Sequence, residues 1–133
     1  MLVIGRKELI EIPLIMDEPF VAKIDSGAYS NSIHCDTVLL QFDGSIDIII
    51  IEGLVLSLPK GTFKYKNVKS SNGQSEKRVT TKLSVIFNNK KYKTTFTFTN
   101  RNNMKSKVLL GRKFLAKRFI IDVSKTNLLK KAK

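Results

Sequence analysis

Among its 133 residues the chain has one cysteine, one histidine, three prolines and no tryptophan. Cys35 alone excludes an internal disulfide. With no charged-then-apolar leader ending in small residues, the expected compartment is a reducing cytoplasm. A zinc site needs three or four nitrogen or sulfur ligands. His34, Cys35 and Asp36 adjoin, but on a strand His34 and Asp36 face one way and Cys35 the other, so at most two can share an ion. No second ligand cluster follows, and the expectation is no metal, with a buried thiol and a hydrogen-bonded imidazole instead. The longest apolar stretch, residues 46–58, is broken by Asp47, Glu52, Gly53 and Ser57 and is too short to cross a bilayer. It reads as sheet interior. Repeats and low-complexity segments are missing too, and the length suits one domain that buries roughly two-thirds of its surface without staples.

Charge is plentiful, of one sign, and unevenly spread. The net charge is +13, yet residues 1–60 hold four Lys or Arg against nine acids, whereas residues 61–133 hold twenty against two. Such a field draws anionic partners: nucleic acid, an acidic peptide or an acidic protein. Lysines dominate, and aromatic residues are not interleaved with them as base-stacking platforms require. A well-solvated lysine surface is the plain alternative.

The rest of the pattern is strands. Residues 2–4 run into a Gly5-Arg6-Lys7-Glu8 turn, residues 9–12 resume, and Pro13 ends the strand or places it at an edge. Residues 20–24 alternate as a short buried strand. Residues 29–32 read as a polar turn before another extended piece from Ile33. Asp43-Gly44 signals a hairpin, Glu52-Gly53 breaks the apolar stretch, and Pro59-Lys60-Gly61 turns the chain again. Phe63 and Tyr65 alternate with Lys64 and Lys66. Val79, Thr81, Leu83, Val85 and Phe87 keep strict alternation into an Asn88-Asn89 hairpin, with Tyr92, Thr94, Phe96 and Phe98 as the return face. Residues 107–110 form a buried strand, residues 112–118 suit a helix of one or two turns, and residues 119–123 form a last strand. Residues 1–124 are the expected domain, and residues 125–133 a loose basic tail. Strands with one short helix imply an all-β barrel or sandwich.

Chemistry concentrates at Asp25-Ser26-Gly27-Ala28. An acid at the end of a buried strand is costly to ionise unless donors meet it, and Ser26 and the unhindered amide after Gly27 can supply them. The same tripeptide is also an ordinary turn after a strand. The order Ala22-Lys23-Ile24-Asp25-Ser26-Gly27-Ala28, a polar hairpin tip over residues 70–74, and Val108-Leu109-Leu110-Gly111-Arg112 resembles the retropepsin superfamily. More closely, the chain is similar to a bacterial retropepsin-like family labelled ATP-dependent zinc proteases and associated with RimK-type ATP-grasp glutamate ligases. That similarity extends to Ile4-Gly5-Arg6-Lys7-Glu8, Val68-Lys69-Ser70-Ser71 with Gly73 and Arg78, Asn100-Arg101 with Met104, and Leu110-Gly111-Arg112 through Asp122.

The resemblance implies a closed acid-protease barrel with a flap hairpin and a short C-terminal helix. It makes Asp25 the catalytic residue and gives each chain one carboxylate of a pair, so activity needs a twofold homodimer. Two such carboxylates share a proton: one deprotonates a water while the other protonates or hydrogen-bonds the scissile carbonyl. Ser26, Gly27, Ala28, Gly111 and Arg112 support the catalytic loop on this reading, and Ser70, Ser71, Asn72, Gly73 and Gln74 form a lid over substrate. The chain departs from the pattern in three places. Ser26 replaces the usual threonine. Tyr29 stands where viral retropepsins carry the acid that pairs with the arginine matching Arg112, leaving Asp36 and Asp122 as candidate partners. The flap tip is poorer in glycine, hence stiffer. Neither zinc-ligand spacing nor a phosphate loop is present, so no cofactor is expected despite the family label. Three functions follow: an endopeptidase acting on an acidic, glutamate-rich polypeptide, a non-catalytic regulatory partner of an ATP-grasp ligase, and a nucleic-acid-binding basic domain.

Overall fold

A computed structural model describes residues 1–69, 73–101 and 105–129 of the chain. Twelve strands and one short helix are present among them. In chain order they are β1 (Leu2–Gly5), β2 (Lys7–Ile10), β3 (Phe20–Ile24), β4 (Asn31–His34), β5 (Thr37–Leu40), β6 (Ile46–Ile51), β7 (Leu54–Leu58), β8 (Lys64–Lys69), β9 (Ser75–Phe87), β10 (Lys90–Thr99), β11 (Val108–Leu110), α1 (Arg112–Leu115) and β12 (Phe119–Asp122). The fold is all-β, as the alternation predicts. Strict period-two burial along β9 puts Val79, Leu83, Val85 and Phe87 inside, and the Asn88-Asn89 turn takes positive φ at both residues (54° and 60°), the geometry that lets a two-residue loop follow the twist of its strands.

Hydrogen bonding divides the strands into three sheets rather than one unbroken ring. A seven-stranded sheet runs β2-β3-β11-β4-β10-β9-β8, β5-β6-β7 form a meander, and β1 pairs in parallel with β12. The meander stays separate because its turns, at Asp43-Gly44 and Glu52-Gly53, return each strand to its immediate neighbour. Side-chain packing joins the sheets: Ile4, Ile48, Leu56, Phe96, Val108 and Phe114 belong to one buried cluster. Aromatic rings converge in it, with Phe114 against Phe87, Phe119 and Tyr92, and Phe87 against Phe119. No helix among the described residues is long and apolar enough to cross a membrane.

Two segments differ from the sequence reading. Asn31 and Ser32, taken as part of a polar turn, are buried in β4 between β11 and β10. Asn31 is tolerated there because its amide is fully used, donating to Thr94 Oγ1 and the Thr95 carbonyl (both 3.1 Å) and accepting from the Gly111 amide (3.0 Å). Residues 125–129, assigned from the sequence to a basic tail, lie across the β1–β2 turn. The Arg6 amide donates to the Lys125 carbonyl (2.8 Å) and the Asn127 amide to the Lys7 carbonyl (2.9 Å). Glu8, fully buried, accepts from the amides of Gly5 (2.7 Å), Leu128 (3.0 Å) and Leu129 (2.9 Å). A buried carboxylate is tolerable only with such donors around it. Residues 130–133 lie outside the described residues.

Candidate active site

β3 delivers Asp25 to its position. The strand lies between β2 and β11, and its parallel register with β11 sets Ile24 beside Leu110. The Asp25 amide donates to the Leu110 carbonyl (3.0 Å), so the acid sits where the paired strand ends. The chain then folds back: the Gly27 amide donates to Asp25 Oδ1 (2.9 Å) and the Ala28 amide to the Asp25 carbonyl (3.2 Å). Gly27 brings its amide this close because a Cβ there would approach Oδ1 at 3.1 Å. Oδ2 stays accessible, 3.9 Å from the Lys23 ammonium, in a side chain 29% exposed. One oxygen is thus oriented by the backbone and the other is presented outward.

Gly111 closes the loop from below. A Cβ on it would lie 2.7 Å from the Ser30 carbonyl oxygen and 2.8 Å from the Tyr29 carbonyl. The Arg112 and Lys113 amides donate to the carbonyls of Ala28 (2.8 Å) and Tyr29 (2.9 Å), locking the start of α1 onto the loop. Arg112 pairs with neither Asp36 nor Asp122. Its Nη1 donates to the Ser26 carbonyl (2.9 Å) and its guanidinium lies 5.8 Å from the exposed ring of Tyr29, the residue that takes the place of an acid. Asp36 bonds His34 instead, and Asp122 accepts from the Ser124 hydroxyl (2.6 Å) and amide (3.0 Å), which hold its carboxyl below the usual range.

The flap hairpin is β8 with β9, paired from Lys64↔Thr80 to Lys69↔Ser75. Of its expected tip, Ser70, Ser71 and Asn72 lie outside the described residues, while Gly73 takes a left-handed φ of 86° that suits a turn. A cleft of about 320 Å³ runs beneath the hairpin, lined by Asp36, Tyr65, Glu76, Lys77, Phe98 and Asn100 among others.

Sequence reasoning missed a polar network on this cleft. The imidazole of His34, 1% exposed, accepts from the Arg101 amide at Nδ1 (2.8 Å), which assigns the ring proton to Nε2 and its hydrogen bond to Asp36 Oδ1 (2.7 Å). Thr99 donates to Glu76 Oε1 (2.6 Å), and Arg78 Nε donates to Glu76 Oε2 (3.2 Å). The motif fragments containing Arg78 and Asn100-Arg101 were the signal. Among the described residues no three His, Cys, Asp or Glu side chains gather as metal ligands.

Cys35 is buried between these groups, and burial, with Asp36 and Glu76 adding, pushes its thiol up to about 11. Between its ordinary value and 11 the unfolded chain loses a proton that the folded chain keeps, so stability is unaffected by this group at neutral pH and falls as pH rises through that window. At pH 8 the folded chain is expected to react with a thiol reagent at least about 100-fold more slowly than the urea-unfolded chain. Equal labelling rates would show that the thiol is not protected.

The family model described as RimB-like, retropepsin-like aspartic endopeptidase RimB, matches residues 53–132, more than half of the chain. A Shewanella pealeana protein named probable alpha-L-glutamate ligase is 28% identical over 132 residues, covering 93% of this chain and 29% of that protein. A Desulfotalea psychrophila protein of the same name is 30% identical over 128 residues, covering 90% and 28%. The chain therefore spans less than a third of the length of these curated relatives. A crystal structure of a Legionella pneumophila protein of unknown function superposes with a TM-score of 0.73 at 21% identity, covering 97% of this chain and 98% of that one, which shows the shared fold. With more than half its length matched by that model and its strands carrying an Asp-Ser-Gly loop over Leu-Gly-Arg, the chain belongs to the RimB-like family of retropepsin-like aspartic endopeptidases.

Proposed function

We propose that the chain is an aspartic endopeptidase in which Asp25 of two copies binds one water and hydrolyses a peptide bond of an extended, acidic polypeptide. The observation that carries this reading is the Asp25 carboxylate: Oδ1 held by the Gly27 amide, Oδ2 turned outward, at a strand end braced by Gly111. One carboxylate cannot both accept a proton from water and donate one to the carbonyl, so a second copy completes the pair. Held about 3 Å apart, the two titrate as a coupled unit. The isologous contact falls on the side where Ser26, Arg112, Leu115, Phe119 and Ile121 line a hollow of about 140 Å³. Ser26 braces the two loops across the axis, and the β8–β9 hairpin covers the substrate. The basic half of the chain favours acidic substrates, in keeping with relatives named for a glutamate ligase.

A second reading has one observation in its favour: in those relatives the matched region is under a third of a protein named glutamate ligase. On it, the domain binds and regulates a ligase without cutting. The two are separated by assaying cleavage of a glutamate-rich peptide library across protein concentration and pH. The peptidase reading expects activity per subunit to rise with concentration below the dimer dissociation constant, and a bell-shaped pH profile from the coupled pair. A rate per subunit that stays constant down to concentrations where the protein is monomeric rejects the shared site.

A further inference from the structure

Arg101 follows Asn100, which lines the cleft, and among the described residues its guanidinium is held by its surroundings without a carboxylate partner. Its backbone is held by His34, itself oriented by Asp36, and its Nε donates to the Ser106 carbonyl (3.2 Å). Two separate anchors therefore set where the planar fork points. Among the described residues no carboxylate lies within ion-pair distance of it, in contrast to Arg78, which contacts Glu76. Glu76 accepts from Thr99 with its other oxygen and forms its ion pair with Arg78.

The charges Arg101 feels lie on the proposed reaction path. Burial and the neighbouring Arg78 guanidinium hold its basicity below the usual range, while the Asp25 carboxylate works against them. A half-buried arginine repelled by a second arginine is an unfavourable arrangement for the empty protein, and an incoming carboxylate relieves it.

We propose that Arg101, with Arg78 beside it, is a specificity-determining site at the edge of the cleft and takes the side-chain carboxylate of an acidic residue next to the bond presented to Asp25. This rests on the peptidase reading for the position of the bond. It goes beyond a general preference for acid by assigning that preference to one bidentate contact rather than to the diffuse lysine charge. His34 is a positioning residue for this contact: it fixes the backbone of Arg101 and does not touch the ligand.

Binding is measured without turnover, on the full chain carrying Asp25→Asn. A fluorescent hexaglutamate peptide and its hexaglutamine counterpart are titrated at low salt. The Asp25→Asn protein is expected to bind the glutamate peptide at least about tenfold more tightly. Adding Arg101→Gln is expected to erase most of that ratio, changing affinity for the glutamine peptide by no more than about twofold. Adding Lys82→Gln, the same charge change on the outside of the sheet, is expected to leave most of it. A ratio unchanged by Arg101→Gln, or lowered as much by Lys82→Gln, overturns the proposal. Should Arg101→Gln fail to fold, Arg101→Lys, which keeps the charge and loses the fork, is measured together with Arg78→Gln. An undiminished ratio in both overturns it equally. If the wild-type chain cleaves neither peptide but the preference persists and depends on Arg101, the peptidase reading falls and the carboxylate site stands.

Discussion

Asp25→Asn is expected to abolish peptide cleavage while the protein stays folded. Asparagine can still accept the Gly27 amide through its Oδ1, so the loop keeps its shape. The lost contact to Lys23, at 3.9 Å between partly exposed groups, contributes little to stability. The substitution removes proton transfer: an amide neither takes a proton from water nor gives one to a leaving amine. In a twofold assembly both carboxylates vanish together, so the loss should reach or exceed about 10⁴-fold, the upper range for general acid–base groups. Quantified peptide products, together with urea unfolding of the same sample, provide the check. Turnover at the wild-type rate removes Asp25 from the mechanism. A variant that is inactive but also unfolded sends the question to Asp25→Glu, which keeps the acid but displaces it.

Gly111→Ala is expected to cost about 3–5 kcal/mol, among the largest penalties of any single methyl in this chain. The reason is close approach alone, since the φ of Gly111 is −104°, which any residue adopts. The added carbon would lie 2.7–2.8 Å from backbone atoms of Tyr29 and Ser30. To admit it, residues 28–31 must part from residues 111–113, and three hydrogen bonds span that seam: Gly111 to Asn31, Arg112 to Ala28, Lys113 to Tyr29. The same displacement moves the Asp25 loop, so activity falls with stability. Urea titration measures the first effect. A midpoint shift worth under about 1 kcal/mol means that the loop yields easily and that Gly111 is not what holds it.

Where the sequence was legible, the information was local. Alternation from Val79 to Phe87 fixes which face of β9 is inside, and Asn88-Asn89 specifies its own turn because both residues tolerate positive φ. Asp25-Ser26-Gly27 could be read as a carboxylate bonded to a following amide because that contact spans two residues. What was hidden depends on partners far along the chain. Asn31 looks like a turn residue until Thr94, Thr95 and Gly111 are seen to satisfy its amide. Glu8 looks like surface until residues 128 and 129 arrive to bond it. Arg112 was assigned to a carboxylate because charge suggests charge, whereas the geometry gives it a carbonyl and an aromatic face. Arg101 was visible as part of a motif, but its relation to His34 spans sixty-seven positions that no periodicity links.

The clasp at Glu8 bears on how the protein is made. Among the described residues β1 finds its ladder partner in β12, and the carboxylate in the adjoining strand waits for amides about 120 positions later. A ribosome releases the first of these groups long before the last, and until then β1 has no ladder and Glu8 lacks two of its three donors. Assembly of this corner is therefore a late event in a topology already dominated by distant pairings, the class whose folding times run from milliseconds to seconds. Through that interval the nascent chain carries the apolar β1 unpaired, which makes the interval before closure the period in which it is most exposed to chaperones and to self-association.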